Sequence, residues 1–201
     1  DMQLTDNFVD IIREGFDLAV RIGELEDSSL VARKLAKENR VICAAPKYLA
    51  SGGTPATRED LEAHNCLLAG AQDMWRLDGP DGPREIRVKG NMRSNSADFI
   101  RSAVTQGLGL ALRATWDIGP ELDRGELTIV LPEYTGSSKN GIFAVYPCRE
   151  FMPSKVNAFI EFYGDLLEKD PAWIKANNPK SQHAAPPASP KLARKPATKV
   201  T

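Results

Sequence analysis

The chain has 201 residues, 42% of them hydrophobic and 26% charged, a balance ordinary for one folded domain or two small lobes. Its net charge of −1 is unevenly spread: six Lys and Arg lie beyond residue 170 with no acidic residue beside them, so residues 1–170 hold 20 basic against 27 acidic groups, a net of −7. A body that acidic is a poor bulk binder of nucleic acid, and no run reaches the roughly 18 uninterrupted apolar residues of a membrane span. Asp6 is placed to cap a short helix, with Phe8, Ile11 and Ile12 on its apolar face and Gly15 as its stop. Residues 16–21 (FDLAVR) read as a buried strand ended by Ile22-Gly23. Residues 30–35 and 41–45 are two more. Pro46 suits the first turn of a helix closed near Gly52-Gly53, and Thr57 with Asp60 is a capping-box pattern opening a helix over 57–63.

Further on, Leu67-Leu68 and residues 75–77 are short strands, and residues 79–83 (GPDGP) are a dense turn signal. Residues 85–89 alternate as a half-exposed antiparallel partner would. Ser96 caps a helix with Phe99, Ile100, Ala103 and Val104 on one face and Gly107 beyond it. A strand over 108–112 follows, then a helical segment near 116–122 that Pro120 kinks or restarts. Residues 127–131 and 142–146 are the last strands. The final helix starts at Pro153, with Val156, Phe159, Ile160, Tyr163 and Leu167 on one face. Strands alternating with helices predict an α/β fold with largely parallel, doubly wound sheets, and the 75–88 hairpin predicts a second sheet. Residues 170–201, rich in Pro, Ala and Lys, read as a disordered tail whose basic charges solubilise it.

Cys43, Cys66 and Cys148 are odd in number and far apart, which suits buried thiols in a reducing compartment, hence the cytoplasm. His64 and His183 are the two histidines, and no cluster has metal-ligand spacing, so neither metal nor cofactor is expected. No nucleophile elbow or His-paired nucleophile points to an enzyme. The first ten residues lack the basic-then-apolar order of a signal peptide. They read as a strand entering a helix, so the natural start is expected upstream.

Eight segments then follow one another at fitting intervals: 16–23 (FDLAVRIG), 29–35 (SLVARKL), 41–49 (VICAAPKYL), 93–96 (RSNS), 107–112 (GLGLAL), 115–122 (TWDIGPEL), 125–132 (GELTIVLP) and 144–147 (AVYP). In that order, over residues 3–169, they resemble the effector-binding domain of LysR-type transcriptional regulators. The resemblance implies a two-lobed, type 2 periplasmic-binding-protein-like α/β fold with an effector between the lobes. Lobe I is expected at 1–42 plus 142–169, lacking its first strand and helix, and lobe II at 43–141. The connecting strands fall near 41–45 and 141–146. It also implies a helix-turn-helix that this chain lacks, so that DNA is met only through an absent N-terminal part. A homodimer or homotetramer with no membrane partner is expected. A solute-binding protein of a transport system would share the fold and is the alternative.

In open α/β sheets, ligands lie beyond the carboxyl ends of strands and beside helix N-termini, whose free N–H groups favour anions. That nominates Arg21, Ile22 and Gly23 after one strand and Ser94, Asn95 and Ser96 before a helix. Gly109 and Arg113, in and after the glycine-containing strand, complete the set. Arginine suits a carboxylate because its fork donates two parallel hydrogen bonds. Ser94 to Ser96 equally fit simple capping, Arg21 an ordinary salt bridge, and Arg113 a solvent-facing position. Trp75 and Trp116 are expected in the core.

Overall fold

The computed structural model describes residues 1–7, 9–25, 27–70, 72–148 and 152–170. In chain order its elements are β1 (Ala19–Gly23), β2 (Leu30–Lys37), β3 (Arg40–Ala44), α1 (Pro46–Gly52), a 3₁₀ turn (Glu59–Ala63), β4 (Leu68–Ala69), β5 (Met74–Gly79) and β6 (Gly82–Arg87). Then come β7 (Arg93–Ser94), α2 (Ala97–Thr105), β8 (Leu110–Ala114), α3 (Thr115–Asp123), β9 (Thr128–Gly136), β10 (Gly141–Pro147) and α4 (Ser154–Lys169).

The apolar run at 41–45 does not alternate because β3 is covered on both faces. It lies inside a sheet ordered β6-β5-β9-β3-β8. Ile42 and Ala44 point into one core with Leu61, Trp75, Leu77, Ile86 and Leu110. Val41 and Cys43 point into the other, with Ile100, Val104, Ala111 and Ile118. A second sheet is ordered β1-β10-β2, and α4 lays Val156 and Ile160 against its Ala144. The first sheet comes from one unbroken stretch, residues 40–136, while the second is assembled from 19–37 and 141–147. The chain passes between them at 38–39 and again at 137–140.

Every pairing within these two sheets is antiparallel, which corrects the expectation of largely parallel ones. The reason lies in β3. β8 and β9 run the same way and are joined by α3, as in a wound fold, but β3 inserts between them in the opposite sense. Among the described residues, parallel neighbours occur at β4–β7 and at the bridge from Cys66 to Leu110.

Other local departures have local causes. The helix expected after Asp6 is a single turn: the Asp10 carboxylate accepts from the N–H groups of Ile12 and Arg13, and Gly15 at φ +77 ends it as Phe16 donates to the Ile11 carbonyl. Phe8, assigned to that helix, lies outside the described residues, as does the tail from residue 171. The capping box at 57–60 forms by half. Asp60 accepts from the N–H groups of Ala56 and Thr57, but only a 3₁₀ turn follows. The strand expected at 108–112 begins two residues later. α3 runs through Pro120 unbroken. Trp75 is buried, whereas Trp116, at the start of α3, is 36% exposed.

β9 carries a bulge, since Ile42 faces Val130 while Val41 faces Thr135. Leu131 takes φ +50 there, at a cost on the order of 1 kcal/mol, and still reaches the core. The bulge brings Tyr134 over Gly79, where a Cβ would stand 2.4 Å from the ring.

Candidate functional site

The N-terminus of α2 is capped from its own side chains and from the N-terminal segment. Ser96 is its N-cap, and its hydroxyl accepts from Phe99 N–H at 3.3 Å. Ser94 Oγ accepts from Ser96 N–H at 3.1 Å. The next free N–H, that of Ala97, points at a carboxylate the chain itself supplies: Asp6 Oδ2 accepts from it at 3.3 Å. Beside it, Asn95 Nδ2 donates to Asn7 Oδ1 at 3.0 Å. Two consecutive residues of the N-terminal segment thus rest on the end of α2, where unpaired N–H groups and the helix dipole favour negative charge.

The nominated residues of the smaller sheet lie behind that segment. Arg21, on β1, donates from Nη2 to the Val9 carbonyl at 2.9 Å, two residues along from Asn7. Ile22 is half-exposed. Gly23 is buried at φ +126, and a Cβ there would stand 3.7 Å from Nη2 of Arg40. The structure therefore brings Ser94, Asn95 and Ser96 together with Asp6 and Asn7, and holds Arg21 against the same segment.

Gly109 and Arg113 stand at opposite ends of β8. A Cβ on Gly109 would lie 2.3 Å from the Asn65 carbonyl oxygen, so glycine is needed there for close backbone approach. Arg113 is buried and committed. Its Nε donates to Asp117 Oδ2 at 2.9 Å, and its Nη2 donates to the same oxygen. Asp117 also faces Arg101 of α2, whose Nη1 lies 3.6 Å from Oδ1. That pair ties α2 to α3.

Two residues went unnominated. Glu38, its side chain 1% exposed, lies in the first passage between the sheets, with Arg40 Nε 3.1 Å from Oε2. Burial pushes its carboxyl above the ordinary range, against the attraction of Arg40 and Arg113. The polar run Glu38-Asn39-Arg40 marks a connection in the sequence, but nothing in its spacing signals burial. Asp6 was legible only as a local helix cap.

A separate groove of about 390 Å³ is lined by Glu24, Arg76, Asp78, Arg84, Glu85 and Lys139. Its charges pair with one another, as in Arg76 with Glu24 at 3.1 Å, and it contains none of the nominated residues.

Comparison with known proteins assigns the class. The family model "LysR substrate binding domain" matches residues 1–168, and the chain belongs to that family. The HTH-type transcriptional regulator DmlR of Escherichia coli K12 is 37% identical over 161 residues, covering 78% of this chain and 52% of that protein. The regulatory domain of CrgA from Neisseria meningitidis is similar with a TM-score of 0.67 at 27% identity, covering 80% of each chain. The full-length Vibrio cholerae virulence activator AphB gives 0.69 at 26% identity, covering 82% of this chain and 57% of that one. The chain spans about half the length of the curated relatives it matches. These relatives are transcription regulators, and the transport reading finds no support among them. Among the described residues, no helix is long and apolar enough to cross a membrane.

Proposed function

We propose that this chain is the sensing part of a cytoplasmic DNA-binding regulator, and that it binds a small organic anion, a carboxylate, between two lobes at the N-terminus of α2. The lobes are built on the two sheets, with the chain passing between them at 38–39 and 137–140. Ser94, Asn95 and Ser96 supply donors, and Arg21, Ile22 and Gly23 form the facing wall. Gly109 shapes the strand that leads to Arg113, which in turn fixes the start of α3 through Asp117. The observation that carries this reading is the Asp6 carboxylate on Ala97 N–H, an internal anion where an external one would be received.

Binding makes and breaks no bond. The anion favours one arrangement of the lobes by as much as its affinity differs between arrangements. In a homodimer or homotetramer that shift respaces DNA-reading parts lying outside this chain. The test is calorimetric titration of a panel of small carboxylic acids into the full-length regulator and its Ser96→Ala variant. Loss of a charge-assisted hydrogen bond weakens binding by about 1.5–3 kcal/mol. Equal affinity of both proteins for every acid that binds would overturn the site.

A further inference from the structure

One side chain, Arg40, stands where the first passage ends and close to where the second begins. It opens β3, immediately after the first passage. A Cβ on Gly136, the last residue before the second passage, would stand 2.7 Å from Arg40 Cβ, so the two backbones are in close approach. Its Nη2 reaches Gly23, at the end of β1 in the other sheet. Arg40 thus lies beside the first passage, the end of β9 that leads into the second, and the end of β1 in the other sheet.

Its counter-ion is Glu38, from the first passage itself. Glu38 is 4% exposed, and its Oε2 is buried without a hydrogen bond, although Arg40 Nε stands 3.1 Å away. The contact with Arg40 opposes the effect of burial on the carboxyl of Glu38. The charged groups acting on Glu38 come from three elements: Arg40 of β3, Arg113 of β8 and Asp117 of α3. Asp117 already satisfies Arg113. Arg40 is left as the partner of Glu38, and its side chain is 23% exposed, so it has room to turn toward water. A buried carboxylate with one oxygen unpaired gains from taking up a proton.

We propose that Glu38 is a proton-operated lock on the connection between the lobes. Ionised, it holds Arg40 across the two passages and keeps the sheets in one arrangement. Protonated, it releases Arg40 to solvent and frees the passage at 38–39 to turn. This device needs no ligand, although Arg40 lies against Gly23, which the proposed anion site also uses. Burial raises the Glu38 carboxyl above the usual carboxylate range.

The experiment measures the separation of the lobes in the 201-residue chain, using spin labels on the exposed thiol of Cys148 and on Arg87→Cys of β6. Distances are recorded from about pH 4 to 8, a range spanning ordinary and raised carboxylate values. The parent is expected to change distance over a single-proton transition. Glu38→Gln should stay at the parent's acid-side distance at every pH, and Glu38→Asp should restore a titration with a displaced midpoint. A parent distance that does not vary with pH, or a Glu38→Gln variant that titrates like the parent, overturns the proposal. If the variants fail to fold, carboxyl-carbon NMR of the parent decides. A Glu38 signal titrating at the ordinary glutamate value overturns the lock, and one titrating above it in step with the distance change supports it.

Discussion

Arg113 and Asp117, four residues apart across the junction of β8 and α3, form an ion pair in which both side chains are less than a tenth exposed. Both guanidinium donors converge on one oxygen, Oδ2, and leave Oδ1 to Arg101. The pair fixes the angle at which the strand turns into the helix.

Removing one partner strands a charge out of water. Asp117→Ala is expected to lower stability by about 3–5 kcal/mol, whereas Arg113→Met combined with Asp117→Leu, which removes both charges, should change it far less. Urea unfolding followed by tryptophan fluorescence reads the difference. A single variant as stable as the double one would mean that Arg113 finds water instead.

Ser96 and Asp6 act on the same helix end with opposite consequences for an external anion. Ser96→Ala should cost about 1 kcal/mol of stability through the lost cap and should weaken carboxylate binding. Asp6→Ala removes the internal competitor for Ala97 N–H and should tighten it. Calorimetry on full-length variants separates the two, since a purely structural role would weaken binding in both.

Gly109 was nominated for the site by its place in a glycine-broken strand, but its surroundings are backbone. Gly109→Ala is expected to destabilise by about 1–3 kcal/mol, because the added methyl meets the Asn65 carbonyl. It should not change which anions bind. A variant of parental stability with altered ligand preference would return Gly109 to the cleft.

The pattern of strands and helices was readable because both cores impose it: 41–45 is continuously apolar since both its faces are covered, and 85–89 alternates since one is not. Gly15, Gly107 and Gly125 at positive φ mark stops that the sequence announces. The sense of the sheets was not readable, because placing β3 between β8 and β9 is a choice of topology made by contacts far apart in the chain. The site was half legible. Ser96 declares itself by capping a periodic helix, but that Asp6 would reach across to Ala97 depends on 91 residues of intervening fold. Arg113 looked free because Asp117, one helical turn later, reads in sequence as a mere first-turn acid.

Burial makes the ionised form of Glu38 less favourable in the folded chain than in the unfolded one. Its contribution to stability is fully present below the ordinary glutamate pKa, about 4.3, and is lost as pH rises through the raised folded value. Urea midpoints measured across that window should fall with pH more steeply for the parent than for Glu38→Gln. Identical slopes would show that Glu38 does not titrate differently on folding.

Burial pushes the thiols of Cys43 and Cys66 up to about 12, while Cys148 is exposed. Since the thiolate is the reacting form, a maleimide at neutral pH should modify one thiol per folded chain and three after denaturation. Mass spectrometry should place the first adduct on Cys148. Early modification of Cys43 would reveal opening beneath α2 and α3.

The split composition of the smaller sheet dictates an order of assembly. β10 pairs with both β1 and β2, yet it is the last strand to be synthesised. On a ribosome adding roughly 5–20 residues per second, β1 and β2 therefore wait on the order of 5–20 s for the strand that belongs between them. The larger sheet needs β9, which ends at Gly136 with only residues 137–140 before β10, so it can close just ahead of the smaller one. What emerges last is the wedge, so a nascent chain stalled before Gly141 would hold one finished lobe and two bare strand edges, the form a chaperone would have to shield.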